Sequence, residues 1–151
     1  MTSMHSQFST DKKLEQGGVW LDYDIFRVKI ARAGGANTKF AKSMEKHSEP
    51  HRRAMETRTL SEPLARKMLY TVYAETVILD WTVRSAEPLE ETGEYEYRRG
   101  IEGADGEMVE FNKENVIKTF TELHDLFSDI SDQAVGLSLF RHEDKEADAG
   151  N

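Results

Sequence analysis

His47 and His51 lie four residues apart, a spacing that on a helix turns two imidazoles to one face, where they could share a metal ion. Pro50 lies between them and interrupts such a helix, and no third ligand stands close in sequence, so no metal site is assigned. Asp125, Asp129 and Asp132 also fall at helical spacings, and a solvated helix face accounts for them. The pairs Gly17-Gly18 and Gly34-Gly35 match neither GxxxxGK[ST] nor GxGxxG, which leaves nucleotide binding unsupported. Asp80 stands among Val77, Ile78, Leu79 and Trp81, and a buried acid needs a partner or a shifted pKa. Arg27 or Arg32 would make it an ion-paired core aspartate. There is no cysteine, hence no thiol nucleophile, thiolate ligand or disulfide. No catalytic residue, metal or cofactor is therefore expected, and the chain reads as a non-enzymatic protein. Arg52, Arg53, Arg58, Arg66 and Lys67 either dock an acidic partner surface or form a wetted helix face.

The elements that must position these groups follow from periodicity. Residues 1–16 show no steady apolar period and read as a flexible arm. Val19 to Tyr23 and the alternating Phe26 to Arg32 favour strands, with Phe26, Val28 and Ile30 on one face and, like Trp20, expected in the core. Tyr23-Asp24-Ile25 turns the chain between them, giving a β-hairpin. Gly34-Gly35 ends the strand, Asn37 is an N-cap, and a helix follows to about His47. Residues 51–58 form a short helix or a loop. Ser61, with Glu62 and Pro63 behind it, opens a helix expected to run to about Arg84. Leu64, Val72, Tyr73, Val77 and Trp81 surround that helix on almost every side, which places it in the core.

Residues 85–110 hold Pro88, four glycines and many glutamates, and read as a long exposed loop in which residues 94–99 could form a short strand. Asn112 caps a last helix, along which Val116, Phe120, Leu123, Phe127, Ile130, Ala134 and Leu137 recur at steps of three and four, with a break near residues 128–131. That seam, and Phe120, Leu123, Phe127 and Ile130 in particular, either packs within the domain or meets a second copy. Residues 143–151 look like a solvated tail. The expectation is one α+β, mostly α-helical domain over residues 17–142, an N-terminal β-hairpin packed on about three to four helices, with flexible termini.

Composition narrows the function. Residues 1–83 carry 13 Lys and Arg against 10 Asp and Glu, while residues 84–151 carry 7 against 18, for a net charge of -8. The acidic half repels nucleic acid, and the split suits head-to-tail self-association or a basic partner. No apolar run approaches a membrane span and no signal segment is present, so a soluble cytoplasmic protein is expected.

The ordered set "GVWLDYDIFRVKIARAGG", "AETVILDW", "DGEMVEFNKENVIKTF", "LFSDI" and a closing "LFR" resembles the tail assembly chaperones of long-tailed double-stranded DNA bacteriophages over about residues 17 to 145. The resemblance implies a mostly helical protein of the host cytoplasm, absent from the mature virion, that binds the tape-measure protein, keeps it soluble and recruits tail-tube subunits. It carries over no catalytic residue. The tyrosine- and glutamate-rich residues 93–104 are longer than the family pattern. The alternative is a structural virion component, a connector or minor tail protein.

Overall fold

The computed structural model describes residues 3–141. The expected tail over 143–151 lies outside the described residues, as does the expected domain end at 142. The chain is α+β. In order it forms α1 (Met4–Phe8), α2 (Lys12–Gly17), β1 (Val19–Asp22), β2 (Phe26–Ile30), α3 (Thr38–Ser48), α4 (Arg52–Glu56), α5 (Glu62–Thr76), β3 (Ile78–Arg84), β4 (Tyr97–Arg99), β5 (Ile101–Glu102), β6 (Met108–Val109), α6 (Lys113–Glu122) and α7 (His124–Val135). Strands β1 to β4 make an antiparallel sheet in sequence order, and β5 pairs with β6.

The hairpin forms as its alternation requires. Leu21 stands opposite Val28, and Val28 opposite Trp81, so this row faces the helices and is buried. The other parity faces outward: Trp20 pairs with Lys29, and Arg27 with both Asp22 and Thr82. Trp20 is therefore not a core residue. It is 41% exposed, with the Lys29 ammonium 5.9 Å from its ring centre.

The helix expected from 61 to 84 is two elements. Ser61 occupies the N-cap position, although its side chain makes no capping hydrogen bond, and α5 stops at Thr76. Residues 78–84 form the third strand of the sheet, as β-branched Ile78, Thr82 and Val83 favour. A register shift sets Ile30 opposite Ile78 and Lys29 opposite Asp80, which leaves Leu79 as an extra residue. The bulge puts Ile78 and Trp81, three residues apart, on the buried side together, a spacing that imitates a helix.

The core lies between the sheet and α5 to α7. Val28, Ile30, Tyr73, Val77 and Trp81 are buried there, Phe26 is half-buried against them, and Val72 of α5 is fully buried as well. Helix α6 opens at Asn112, whose side chain accepts the Asn115 amide at 2.8 Å. The expected last helix breaks at Leu123, not near 128–131; φ -124° and ψ 68° there end α6 and begin α7. Val116, Phe120, Phe127, Ile130 and Ala134 of the seam pack within the domain, whereas Leu123 does not. Phe127 lies 4.9 Å from both Tyr70 and Tyr73 and 5.2 Å from Phe120, centre to centre.

Two polar centres hold the helices in place. Glu15, in the region expected to be a flexible arm, is 2% exposed within α2. It accepts hydrogen bonds from the Thr10 hydroxyl and, at 2.6 Å, from the Ala36 amide, and it faces Arg32 at 3.6 Å. The expected N-cap Asn37 turns its amide elsewhere, donating to the carbonyls of Arg32 and Thr76 at 2.8 and 2.9 Å. Glu75 of α5 takes bonds from Ser43 and His47 of α3 and from Lys113 of α6, at 2.9, 3.0 and 2.5 Å.

Burial pushes the Glu75 carboxyl up, but the bonds from Lys113, His47 and Ser43 outweigh it and lower its pKa from 4.5 to about 2. A depressed folded-state pKa gives stability that is full above the ordinary carboxylate range and lost as pH falls toward 2. With Lys113 half exposed, solvent screening reduces the effect to on the order of 1 to 2 kcal/mol. Urea titrations at pH 7, 4 and 3 should show wild type losing that much more on acidification than Glu75→Gln. Parallel losses would exclude this origin.

A candidate partner-docking groove

An apolar groove of about 370 Å3 opens where the β1–β2 turn, the end of β3, strand β5 and the α6–α7 junction meet. Ile25, Phe26, Ile101, Leu123 and Leu126 supply its apolar wall, with Arg84 and Glu102 at its edge. A second cavity of about 420 Å3 shares Val83 to Ala86 and Glu102 with the first and adds Arg98 and Met108. Ile25, Leu123 and Met108 are 61%, 53% and 53% exposed. Large apolar side chains left in water beside one another mark an interaction surface.

Local backbone chemistry puts each of them there. Ile25 follows Asp24, whose φ of 73° makes the tight turn into β2 and whose carboxylate receives Arg84 at 2.8 Å. Leu123 ends one helix and begins another, so its side chain leaves the buried stripe that Phe120 and Phe127 continue. Met108 begins the short β6 strand. Tyr23 braces the turn against α7 by donating to Asp129 at 2.5 Å, and burial together with the Asp129 charge raises its pKa.

The seam residues expected to bind a partner thus divide. Phe120, Phe127 and Ile130 are buried in their own domain, and Leu123 alone among the four reaches the surface. Ile25 and Met108 were not singled out in the sequence, although an isoleucine in a turn and a methionine in a glutamate-rich segment both stand against local preference.

The basic positions lie elsewhere. Arg52 lines a shallow hollow with Ser48, Met55 and Glu56. Arg66 and Lys67 line a cleft of about 630 Å3 between α5 and α6 with Tyr70, Ile117 and Thr121, and Arg66 is paired with Glu62 at 2.6 Å. Lys67 also borders a hollow beside His47 and His51. His47 is held by Glu75, and no group of three or more His, Asp or Glu that could hold a metal ion occurs among the described residues. Asp80 is ion-paired, but with Arg99 at 2.9 Å; Arg27 pairs with Asp22, and Arg32 with Glu15. It lies on the outer face of the sheet, opposite Lys29, with its side chain 29% exposed. It is therefore not a core aspartate.

No helix of the described residues is long and apolar enough to cross a membrane. No curated protein and no solved structure matches the chain. Residues 98–151 match the family model of the YdaY prophage protein. That stretch supplies Arg98, Ile101, Glu102, Met108, Leu123 and Leu126 of the two cavities. The C-terminal third of the chain is thus similar to a prophage protein family, a likeness that indicates phage origin.

Proposed function

We propose that this chain is a non-enzymatic phage tail assembly chaperone that acts in the host cytoplasm, binds the tape-measure protein, keeps it soluble and recruits tail-tube subunits. The reading is supported above all by the apolar groove with exposed Ile25 and Leu123, continued by a more polar cavity that Met108 lines. A long helical client presents an apolar stripe that aggregates when left in water, and a groove of this kind covers such a stripe. The acidic second half of the chain keeps the covered client apart from its neighbours by charge repulsion. The prophage likeness of residues 98–151 indicates phage origin, and the ordered resemblance to tail assembly chaperones supports the narrower role.

Co-expression with a tape-measure protein tests it. Wild type should bring that protein into the soluble fraction and co-purify with it. Leu123→Glu with Met108→Glu should abolish both effects while leaving the far-ultraviolet dichroism unchanged, because both side chains already face water. A wild-type chain that neither binds nor solubilises the client would end the reading. Mass spectrometry of purified particles that finds the chain as a stoichiometric component would replace it with a virion protein.

A further inference from the structure

Arg84 stands where two ladders of the sheet end. Its amide donates to the Ile25 carbonyl at 2.9 Å, one bond beyond the last register pair of β2 and β3, Phe26 with Val83. On its other side it is the cross-strand partner of Tyr97, and residues expected to form a long loop carry that ladder on. The Ser85 amide donates to the Glu96 carbonyl at 2.7 Å and the Leu89 amide to the Glu94 carbonyl at 2.8 Å. Residues 85–96 are therefore a hairpin extension of the sheet.

The Arg84 side chain ties this junction together. Its Nη1 donates to the Asp24 carboxylate at 2.8 Å, and the guanidinium carbon lies 3.9 Å from the centre of the Tyr95 ring. One side chain thus joins the β1–β2 turn, the end of β3 and the hairpin, and it borders both the apolar groove and the cavity that continues it. The turn it holds is the one that presents Ile25, 61% exposed, to the groove.

Neither end of this contact is what stability alone selects. The Arg84 side chain is 19% exposed, and its Nε is buried without a hydrogen-bond partner among the described residues, a loss that an apolar side chain would avoid. Asp24 has φ 73°, and only Arg58 shares a left-handed backbone among the described non-glycine residues; glycine adopts it with less strain. The Asp24 carboxylate is exposed, so the ion pair by itself adds little. Strain and an orphaned donor that meet in one contact point to geometry kept for binding.

We propose that Arg84 is the positioning residue of the groove, a clasp that holds Ile25 where it meets the client. The proposal rests on the reading of the groove as the client site and names the residue that keeps that site formed. A turn held by Arg84 needs no ordering when a client arrives. Without the clasp the turn adopts the competent arrangement for only a fraction of the time, and apparent affinity falls by that fraction.

Two measurements on the full chain test it. The first needs no client: native-state hydrogen exchange of the Tyr23 and Ile25 amides, which donate to the Phe26 and Tyr23 carbonyls. In Arg84→Met both should exchange about tenfold faster, while the amide of the buried Val28 and the melting temperature stay close to wild type. The second is affinity for the tape-measure protein. Arg84→Met and Asp24→Gly should each weaken it about tenfold, although Asp24→Gly relieves the backbone and should fold at least as well as wild type. In an Ile25→Ala background, Arg84→Met should weaken it no more than about twofold, because the side chain it positions is gone. Unchanged exchange in Arg84→Met, or an acceleration that Val28 shares equally, would overturn the clasp whether or not the client binds. Additive losses at positions 84 and 25 would overturn it as well. A wild type that does not bind the client ends the chaperone reading instead, and exchange alone then decides on the clasp.

Discussion

Phe127→Ala is expected to destabilise the protein by about 3 to 5 kcal/mol, a large part of the roughly 5 to 15 kcal/mol that holds a domain together. The ring is 5% exposed and is touched edge-on by Tyr70 and Tyr73 from α5 and by Phe120 from α6, while His124 stacks beside it. Removing it opens a cavity that three aromatic rings on two other helices border, and rigid rings collapse poorly into such a space. Thermal unfolding should begin roughly 10 °C lower or more. Phe127→Leu keeps most of the volume and should cost about a third as much. Because the Leu123 site lies on the surface, its charge substitutions should leave stability nearly unchanged. A Phe127→Ala protein as stable as wild type would show that the seam is not packed in this core.

Glu15→Ala should rank second, at about 2 to 4 kcal/mol. The loss leaves the Ala36 amide, the Thr10 hydroxyl and the Arg32 guanidinium without their acceptor in a buried place. Gly35 shows how close the fit is: its φ of 55° suits glycine, and a Cβ there would collide with the Glu15 carboxylate. Burial raises the Glu15 pKa, but bonds from Thr10 and Ala36 and the charge of Arg32 together lower it. Its contribution is therefore present above the ordinary carboxylate range and fades as pH drops through it. Deleting residues 1–16 should be worse than the point change, because it also removes the bond from the Asp11 amide to the Phe140 carbonyl. Chemical denaturation of both proteins measures this. A truncated chain with wild-type stability would restore the reading of this segment as a dispensable arm.

Much of the fold was legible because short-range signals agreed with long-range packing. The alternation of Phe26, Val28 and Ile30, the cap at Asn112 and the recurrence of Val116, Phe120, Phe127, Ile130 and Ala134 all appear in the structure as their periods require. The errors have equally local causes. Leu79, the extra residue of β3, shifted the phase of its strand so that Ile78 and Trp81 kept a helical spacing while lying in a sheet. Trp20, expected in the core, is sent outward by its parity in β1. Glu15 carried no signal at all, since a lone glutamate among polar residues looks solvated until the 32–36 turn closes over it.

The candidate surfaces separate the two kinds of information still more sharply. Composition and the order of residues determined that basic side chains cluster in the first half of this chain and carboxylates in the second, that no thiol is present, and that the last helical stretch carries an apolar stripe. They did not determine which apolar residues face water. That depended on Leu123 ending one helix as it starts another, and on three segments distant in sequence bringing Ile25, Ile101 and Leu123 to one groove. Periodicity records the environment of a residue within its own element, whereas a groove is made by the edges of several elements, and only tertiary packing brings those edges together.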